Sequence, residues 1–124
     1  MQRDMDLIRK LVLAVRDSTG VVNKLEGVDE LAYRYHANLL LEAGLAVGAA
    51  SKEVIGTGAP GHVMIFRLTW AGHDFADSIS SDTIWKRAKD NVLKPSASWT
   101  FEILKEYLKA EIKAQIPGLD GILN

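Results

Sequence analysis

The sequence predicts an α+β fold in which two helices and a β-hairpin are followed by further helices. Three observations lead to this prediction. Apolar residues recur at helical spacing over 4–17 and 30–43, a run rich in β-branched and aromatic residues covers 62–69, and glycines interrupt the chain between them. At 124 residues, the chain has the length of one domain and can bury a core without disulfides or metals.

Composition narrows the class of protein. Apolar residues make up 48% of the chain and charged residues 25%, which is typical of a globular domain. Because there is no cysteine, disulfides, thiolate zinc sites and cysteine nucleophiles are excluded. We see neither a signal peptide nor an apolar stretch of about 20 residues, and therefore expect a cytoplasmic protein with no membrane partner. The net charge of −1 lowers the expectation of nucleic-acid binding but allows a local basic patch.

The N-terminal part of the chain predicts two amphipathic helices. The first covers 4–17, and Gly20 is expected to cap its C-terminus. A short strand is expected over 21–25. The second helix covers 30–43, with Asp29 as its N-cap.

After Gly44 the pattern changes to that of a β-hairpin. Short extended runs occur at 45–47 and 53–55, and a strand is predicted over 62–69. Between them, 56–61 reads GTGAPG, which is turn chemistry and predicts a flexible hairpin tip. This segment lacks the Lys-Ser/Thr of a P-loop, so we do not expect it to bind phosphate.

A third helix is predicted over 70–78. Thr69 stands where its N-cap should be. Trp70, Phe75 and Ile79 are expected to point toward the core.

Two more helices are predicted after the third. One runs from 82 to about 92, and the last begins after Ser98 or Thr100. An apolar tail follows the last helix. The predicted organisation is a winged-helix-like core at 1–80 and a C-terminal helical extension at 81–124, packed on the same domain. The apolar face of the last helix consists of Phe101, Leu104, Leu108 and Ile112, and the tail contains Ile116, Leu119, Ile122 and Leu123.

The order helix, short strand, helix and two-stranded antiparallel hairpin is that of a winged helix, here with appended C-terminal helices. Two segments resemble junctions found in bacterial winged-helix regulators. YHANLLLEAGL at 35–45 resembles the end of a recognition helix, where Gly44 takes a left-handed cap and Leu45 re-enters the core. RLTWAGH at 67–73 resembles the point at which the last wing strand enters a capping helix.

A closer resemblance covers about residues 1–110. The segments that carry it are RDMDLIRK at 3–10, YxxHxxLLLEAGL at 33–45, RLTWAGHDFADSI at 67–79 and DTIWKRAK at 82–89. In these segments the chain is similar to domain-of-unknown-function family 2513, found in bacteria and phages. One departure is Tyr33, an extra aromatic residue before the Tyr35-His36 pair. The family is defined by sequence, so the resemblance implies a bacterial or phage origin without an activity.

If the second helix is a recognition helix, it predicts a DNA-binding surface. Arg34 could reach a guanine edge or a phosphate, Asn38 an adenine edge, and Lys52 the phosphate backbone, with Tyr33 beside them. Three acidic residues on or next to this helix and an apolar Leu41 argue against DNA. The segment before it is also too short for the usual additional helix. The positions expected to face outward are Glu30, Tyr33, Arg34, Ala37, Asn38 and Leu41.

Two functions follow from this reading. The first is a non-enzymatic DNA-binding or regulatory protein, and the alternative is a protein-protein interaction module that has kept the winged-helix shape. A homodimer through the C-terminal helix and tail is a further expectation.

We expect no catalytic residues, cofactor or metal site. His36 and His73 are interpreted as partly buried, hydrogen-bonded residues at the helix–wing junction rather than as metal ligands. The densest basic patch is interpreted as a solvated face. It consists of Lys86, Arg87, Lys89 and Lys94.

Overall fold

The structure is a computed structural model and describes residues 1–94 and 99–118. It is an α+β fold, as predicted. None of the described helices is long and apolar enough to cross a membrane. The elements are α1 (Met5–Asp17), α2 (Glu30–Glu42), β1 (Ala46–Ala50), β2 (Glu53–Val54), β3 (Ala59–Pro60), β4 (Val63–Leu68), α3 (Trp70–Ile79), α4 (Asp82–Ala88), a π-helical turn (Lys89–Leu93) and α5 (Phe101–Gln115).

The chain divides into two compact units, Met1–Ala76 and Asp77–Asn124. The first unit contains α1, α2, the four strands and most of α3. The second contains the end of α3, α4, the π-helical turn and α5. The sequence prediction set the boundary between residues 80 and 81.

Helix α1 begins and ends through local hydrogen bonds. The Asp4 carboxylate accepts from the backbone N–H groups of Asp6 and Leu7, so it caps the first turn. The predicted cap at Gly20 is wrong, because the helix ends at Ser18, which is extended and donates its N–H to the Val15 carbonyl. No left-handed residue is needed there, and Gly20 does not adopt a positive φ.

Helix α2 has the predicted caps at both ends. Asp29 accepts a hydrogen bond from the N–H of Ala32 at 3.1 Å. At the other end Gly44 has a φ of 73°, and the N–H of Leu45 donates to the Leu40 carbonyl at 3.0 Å. This is the left-handed cap that the motif predicted, and it turns the chain sharply into β1.

The predicted hairpin forms two short antiparallel ladders. β1 pairs with β4, with a bulge between Val47 and Gly48, and β2 pairs with β3 around a glycine-containing turn. The strand predicted at 21–25 is reduced to a single bridge, in which Val22 and Ile65 exchange two backbone hydrogen bonds of 2.9 and 2.8 Å.

The tip of the hairpin does not project freely. β3 packs against α2, and both of its residues, Ala59 and Pro60, are buried. The predicted flexible tip is thus confined to the turn that joins β2 and β3, where Gly56 and Gly58 have positive φ.

Helix α3 starts at the predicted N-cap. The N–H of Gly72 donates to Oγ1 of Thr69 at 3.0 Å, and Phe75 and Ile79 are buried as expected. Trp70 was predicted to be in the core, which is wrong, since its side chain is 86% exposed. Trp70 lies nine positions before Ile79, so the two side chains point in roughly opposite directions around the helix axis.

The second unit is helical. Ser81 caps α4 and Thr100 caps α5, each accepting from the N–H three residues later. α5 packs on α4 and on the π-helical turn, with Leu104 and Leu108 fully buried. The alternative cap Ser98 and the tail residues Leu119, Ile122 and Leu123 lie outside the described residues.

Candidate functional site

Tyr33 is buried beneath the sheet. It is 2% exposed, and its hydroxyl donates toward the carbonyl oxygens of Val22 and Val63, each at 3.0 Å. Burial raises the pKa of Tyr33 to about 12. The outward position predicted for Tyr33 is therefore wrong, because the core supplies both apolar contacts and hydrogen-bond acceptors for the phenol.

Arg34 and Asn38 are partly exposed, and each meets a carboxylate of the same helix. Nη1 of Arg34 lies 3.0 Å from Oε1 of Glu30. Nδ2 of Asn38 donates to Oε1 of Glu42 at 3.3 Å. Surface pairs of this kind are weak, but in DNA readout both carboxylates would remain close to the DNA phosphates.

Between its ends, α2 offers few exposed side chains. Every residue from Leu31 to Leu41 is buried or only partly exposed, and the exposed residues Glu30 and Glu42 are both acidic. Ala37 was predicted to face outward, but it is fully buried. A recognition helix reads base edges through exposed side chains, and α2 carries none between Glu30 and Glu42.

Lys52 lies between the two ladders of the hairpin and is exposed. Its carbonyl accepts a hydrogen bond from the N–H of Gly61 at 3.2 Å, which continues the pairing from one ladder to the next. Of the four predicted DNA-contacting residues, Lys52 is therefore the one that is exposed rather than buried or partly exposed.

The outer side of the sheet is apolar, which the sequence analysis did not recognise. Met64 and Phe66 of β4 are 43% and 48% exposed, and Val47 of β1 is also exposed. Val21 lies on the same side, because its neighbour Val22 shares the inner side with Ile65. Val21, Val47, Met64 and Phe66 are termed the apolar sheet face. Strand periodicity places Met64 and Phe66 on one side, but VMIF is apolar throughout, so the sequence did not indicate which side stays exposed.

The bulge in the sheet sets the position of Phe66. Val47 pairs with Arg67 and Gly48 pairs with Ile65, so Phe66 has no partner in β1. A Cβ atom on Gly48 would overlap the carbonyl oxygen of Met64, and this close approach of the strands requires glycine. Bulges often alter the direction of a side chain next to a functional surface.

Among the other exposed large apolar side chains of the first unit, Ile55 and Trp70 are the most exposed. Ile55, in the turn after β2, is 98% exposed, and Trp70 begins α3 directly after the β4–Thr69 junction. Exposed apolar groups on a small domain are typical of a binding surface, and tryptophan is enriched among the residues that dominate protein interfaces.

A groove of about 820 Å³ lies beside α2 within the first unit. It is formed by the loop before α2, the first turns of α2 and the facing ends of β1 and β4. Arg34 lines this groove, and its Nε atom is buried without an acceptor in the part of the chain that the structure describes. It is termed the Arg34 groove. Other residues that line it are Lys24, Leu25, Val28, His62 and Val63.

The two histidines discussed above differ in environment. His36 is buried, its Nε2 accepts from the N–H of Asp4 at 2.9 Å, and its Nδ1 lies 2.7 Å from the Ala32 carbonyl. These partners require a neutral ring with the proton on Nδ1. The prediction of a buried, hydrogen-bonded His36 is confirmed, but its partners lie in α2 and before α1 rather than at the helix–wing junction. The same prediction for His73 is wrong, because it is exposed on the side of α3 opposite Phe75.

The basic patch of the second unit is paired with acidic groups. Asp90 lies 2.7 Å from Lys86 and 3.2 Å from Lys94, and Arg87 lies 3.1 Å from Glu111. Hydrogen bonds from Lys86 and Lys94 lower the pKa of Asp90 below its usual value. The patch is therefore partly neutralised by its neighbours rather than a strip of free positive charge.

Comparison with known proteins matches nearly all of the first unit, α4 and the π-helical turn to one family. A family model described as "Hypothetical protein (DUF2513)" matches residues 2–98. An "Uncharacterized protein" of Haemophilus influenzae is 28% identical over 124 residues, covering 94% of this chain and 99% of the relative. No solved structure matches the chain significantly. The matched range includes both the apolar sheet face and the Arg34 groove.

Proposed function

The chain belongs to the family described as "Hypothetical protein (DUF2513)", as its motifs indicated, and we propose that it is a non-enzymatic, cytoplasmic protein-interaction domain on a winged-helix-like frame. The observation that carries the proposal is the apolar sheet face. Four apolar side chains are exposed together on one side of a small sheet, where contact with water costs free energy that a partner protein would remove.

The winged-helix-like frame is supported by the element order of the first unit. α1 is followed by the strand bridge at Val22, then by α2, the β1–β4 pair and α3. The two junction motifs also meet, since the N–H of Thr69 donates to the Leu45 carbonyl at 3.0 Å. The β2–β3 hairpin departs from the usual wing because it folds back onto α2.

The chemistry of the apolar sheet face suits a protein partner. Phe66 supplies a flat aromatic surface and Met64 an adaptable thioether, and both residue types are enriched in protein interfaces. Arg67, opposite Val47, would lie at the polar rim. DNA offers mainly phosphates and base edges, neither of which gains from apolar contact of this extent.

Photocrosslinking in living bacteria tests this proposal. A benzophenone amino acid in place of Phe66 in the full chain is expected to give a discrete protein adduct. Asp74, exposed on α3, is the matched control position and should give none. Adducts that form equally at both positions, or at neither, contradict the proposal.

A quantitative test follows with the crosslinked protein in purified form. Phe66→Ser should weaken its binding at least tenfold, about 1.4 kcal/mol, while the urea midpoint of unfolding stays nearly unchanged because the ring is half exposed. Binding should also have a negative heat-capacity change, since apolar area is buried. Unchanged affinity for Phe66→Ser and for Met64→Ser would reject the apolar sheet face as the contact surface.

DNA binding is the second candidate function, favoured by the exposed cations Lys52 and Arg67 on the hairpin. Arg34 and Asn38 would contact bases in the DNA major groove after breaking their contacts with Glu30 and Glu42. A DNA-binding regulator should retain duplex DNA at about 50 mM salt, with affinity that falls as salt rises and weakens when Arg34 and Lys52 become Glu. If no duplex is retained even at high protein concentration, this candidate fails.

Homodimerisation through α5 and the tail is a separate proposal. α4 and the π-helical turn already cover the buried face of α5, but Ile103 and Ile116 remain about half exposed. Sedimentation equilibrium of the full chain should then give a dimer that Ile103→Glu dissociates. A monomer at high concentration rejects the proposal.

A further inference from the structure

We infer that the Arg34 groove binds a small anionic molecule, whose carboxylate or phosphate group meets Arg34 and whose apolar body fills the groove. The groove shares Met64 with the apolar sheet face. The inference goes beyond the protein-interaction function proposed above because it centres on Arg34, and either proposal can fail without the other.

The groove has the size and lining of a small-molecule site. Its volume of about 820 Å³ lies within the range of roughly 300–1,000 Å³ that is typical of ligand pockets. Leu25, Val28 and Val63 supply apolar walls, and charged or hydrogen-bonding residues, among them Lys24, Arg34 and His62, line much of the rest. A mixed lining of this kind can hold an apolar body while its polar groups orient a charged head group.

Arg34 is the polar group with unused binding capacity. Its guanidinium carries five N–H donors in a planar fork, and Nη1 meets Glu30 at 3.0 Å. Nε is buried and has no acceptor among residues 1–94 and 99–118. Burying a donor without a partner is unfavourable, and a carboxylate or phosphate can accept from two N–H groups of the fork at once.

Glu30 occupies the position that a ligand anion would take. Its side chain is 81% exposed, whereas that of Arg34 is 19% exposed, so the acid can turn into solvent while the arginine stays in place. An exposed pair of this kind contributes little free energy and is readily exchanged for a better acceptor. Glu30 thus acts as a competitor that any ligand anion must displace.

The charges around the groove favour an anion. Lys24 and Arg34 line it with Glu30 as the acidic counterpart, and His62 adds a further hydrogen-bonding group. With Glu30 turned away, two cations face the groove. A neutral ligand would leave Nε of Arg34 unsatisfied, and a cationic ligand would be repelled.

NMR of the Arg34 side chain in the full chain tests the inference. The Nε–H resonance of Arg34, assigned by its loss in Arg34→Lys, is followed during titration with four probes: benzoate, phenyl phosphate, inorganic phosphate and benzyl alcohol. Benzoate and phenyl phosphate should shift it saturably, inorganic phosphate more weakly, and benzyl alcohol not at all. The tighter of the first two identifies the preferred head group.

Three variants separate binding from general structural effects. Arg34→Gln should weaken benzoate or phenyl phosphate binding at least tenfold. Glu30→Gln should strengthen it about threefold or more, because the competing carboxylate is gone. Arg67→Gln removes an arginine outside the groove and should change nothing. Urea unfolding of each variant confirms that the fold is retained.

Several results would overturn the inference. These are the absence of a saturable shift for every small probe, equal weakening by Arg34→Gln and Arg67→Gln, or weaker binding in Glu30→Gln. A shift produced by hexaglutamate but by none of the small probes would assign the groove to an acidic peptide instead.

Discussion

The hydroxyl of Thr69 donates to the carbonyl oxygen of Gly44 at 2.6 Å and joins two motifs that lie 25 residues apart. Oγ1 of Thr69 also accepts a hydrogen bond from the N–H of Gly72 at 3.0 Å. One side chain therefore satisfies a carbonyl at the end of α2 and a free N–H at the start of α3. This hydrogen bonding links the end of the YHANLLLEAGL motif to the RLTWAGH motif.

Thr69→Val should destabilise the first unit by about 1–2 kcal/mol. Valine keeps the shape of the side chain but lacks the hydroxyl. The N–H of Gly72 therefore loses its acceptor, and the Gly44 carbonyl loses its donor. Urea unfolding measures the effect. Thr19→Val is the control, since Thr19 is exposed in a loop, and equal losses for both variants would contradict the role assigned to Thr69.

Gly72→Ala should cost about 2 kcal/mol or more. A Cβ atom at this position would overlap the carbonyl oxygen of Leu45, a backbone atom that cannot move aside cheaply. Gly20→Ala is the matched control, because its Cβ would meet nothing within 4 Å, and we expect a change within about 0.5 kcal/mol. Similar thermal midpoints for the two variants would show that α3 does not lie against Leu45.

His36→Leu should destabilise the protein by about 1–3 kcal/mol, because the N–H of Asp4 loses its acceptor and the Ala32 carbonyl its donor. His73→Leu changes an exposed histidine and should have little effect. Chemical denaturation provides the free energies, and the amide shift of Asp4 reports the lost bond directly. An unmoved Asp4 amide in His36→Leu would contradict this hydrogen bond.

Tyr33 makes stability depend on pH at the alkaline end. Burial raises its pKa from 10.0 to about 12, so the folded state favours the neutral phenol. The contribution of the neutral Tyr33 phenol to the free energy of unfolding is fully present below pH 10. It is lost as the pH rises toward 12, and the loss is about 2–3 kcal/mol at most. Tyr33→Phe should therefore have a flatter dependence of unfolding free energy on pH between 9 and 11.5. Parallel curves of unfolding free energy against pH for the wild type and Tyr33→Phe would contradict this prediction.

Asp90→Asn should lower the thermal midpoint of the second unit slightly at pH 7 and low salt. The lowered pKa of Asp90 means that its carboxylate stabilises the fold above its ordinary pKa and loses that effect as the pH falls. Because the group is exposed, the difference from wild type should shrink in 1 M salt. A difference that is insensitive to salt would contradict an ionic origin.

Local sequence determined where most elements begin and end. Asp29, Gly44 and Thr69 act as caps in the structure because each satisfies backbone groups within a few residues, and such interactions need no knowledge of the rest of the fold. Gly20 failed as a cap because an alternative local ending, the extended Ser18, was equally compatible with the sequence.

The candidate sites were less accessible to sequence reasoning. Helical spacing placed Tyr33 and Ala37 outward on the assumption that α2 exposes one whole face. The apolar sheet face was missed because VMIF contains only apolar residues, so its two sides could not be told apart by polarity. The Arg34 groove is formed by segments far apart in the chain and has no local signature.

By itself, the sequence determined the α+β class, the family and the order of helices and hairpin, since caps, periodicity and turn residues act over short distances. Only the tertiary structure decided which surfaces remain open. It folded β3 onto α2, buried Tyr33 under two backbone carbonyls and left Phe66 in water, because burial depends on which distant segments pack together. The predicted recognition helix α2 is consequently largely covered, whereas the apolar sheet face of the first unit stays exposed.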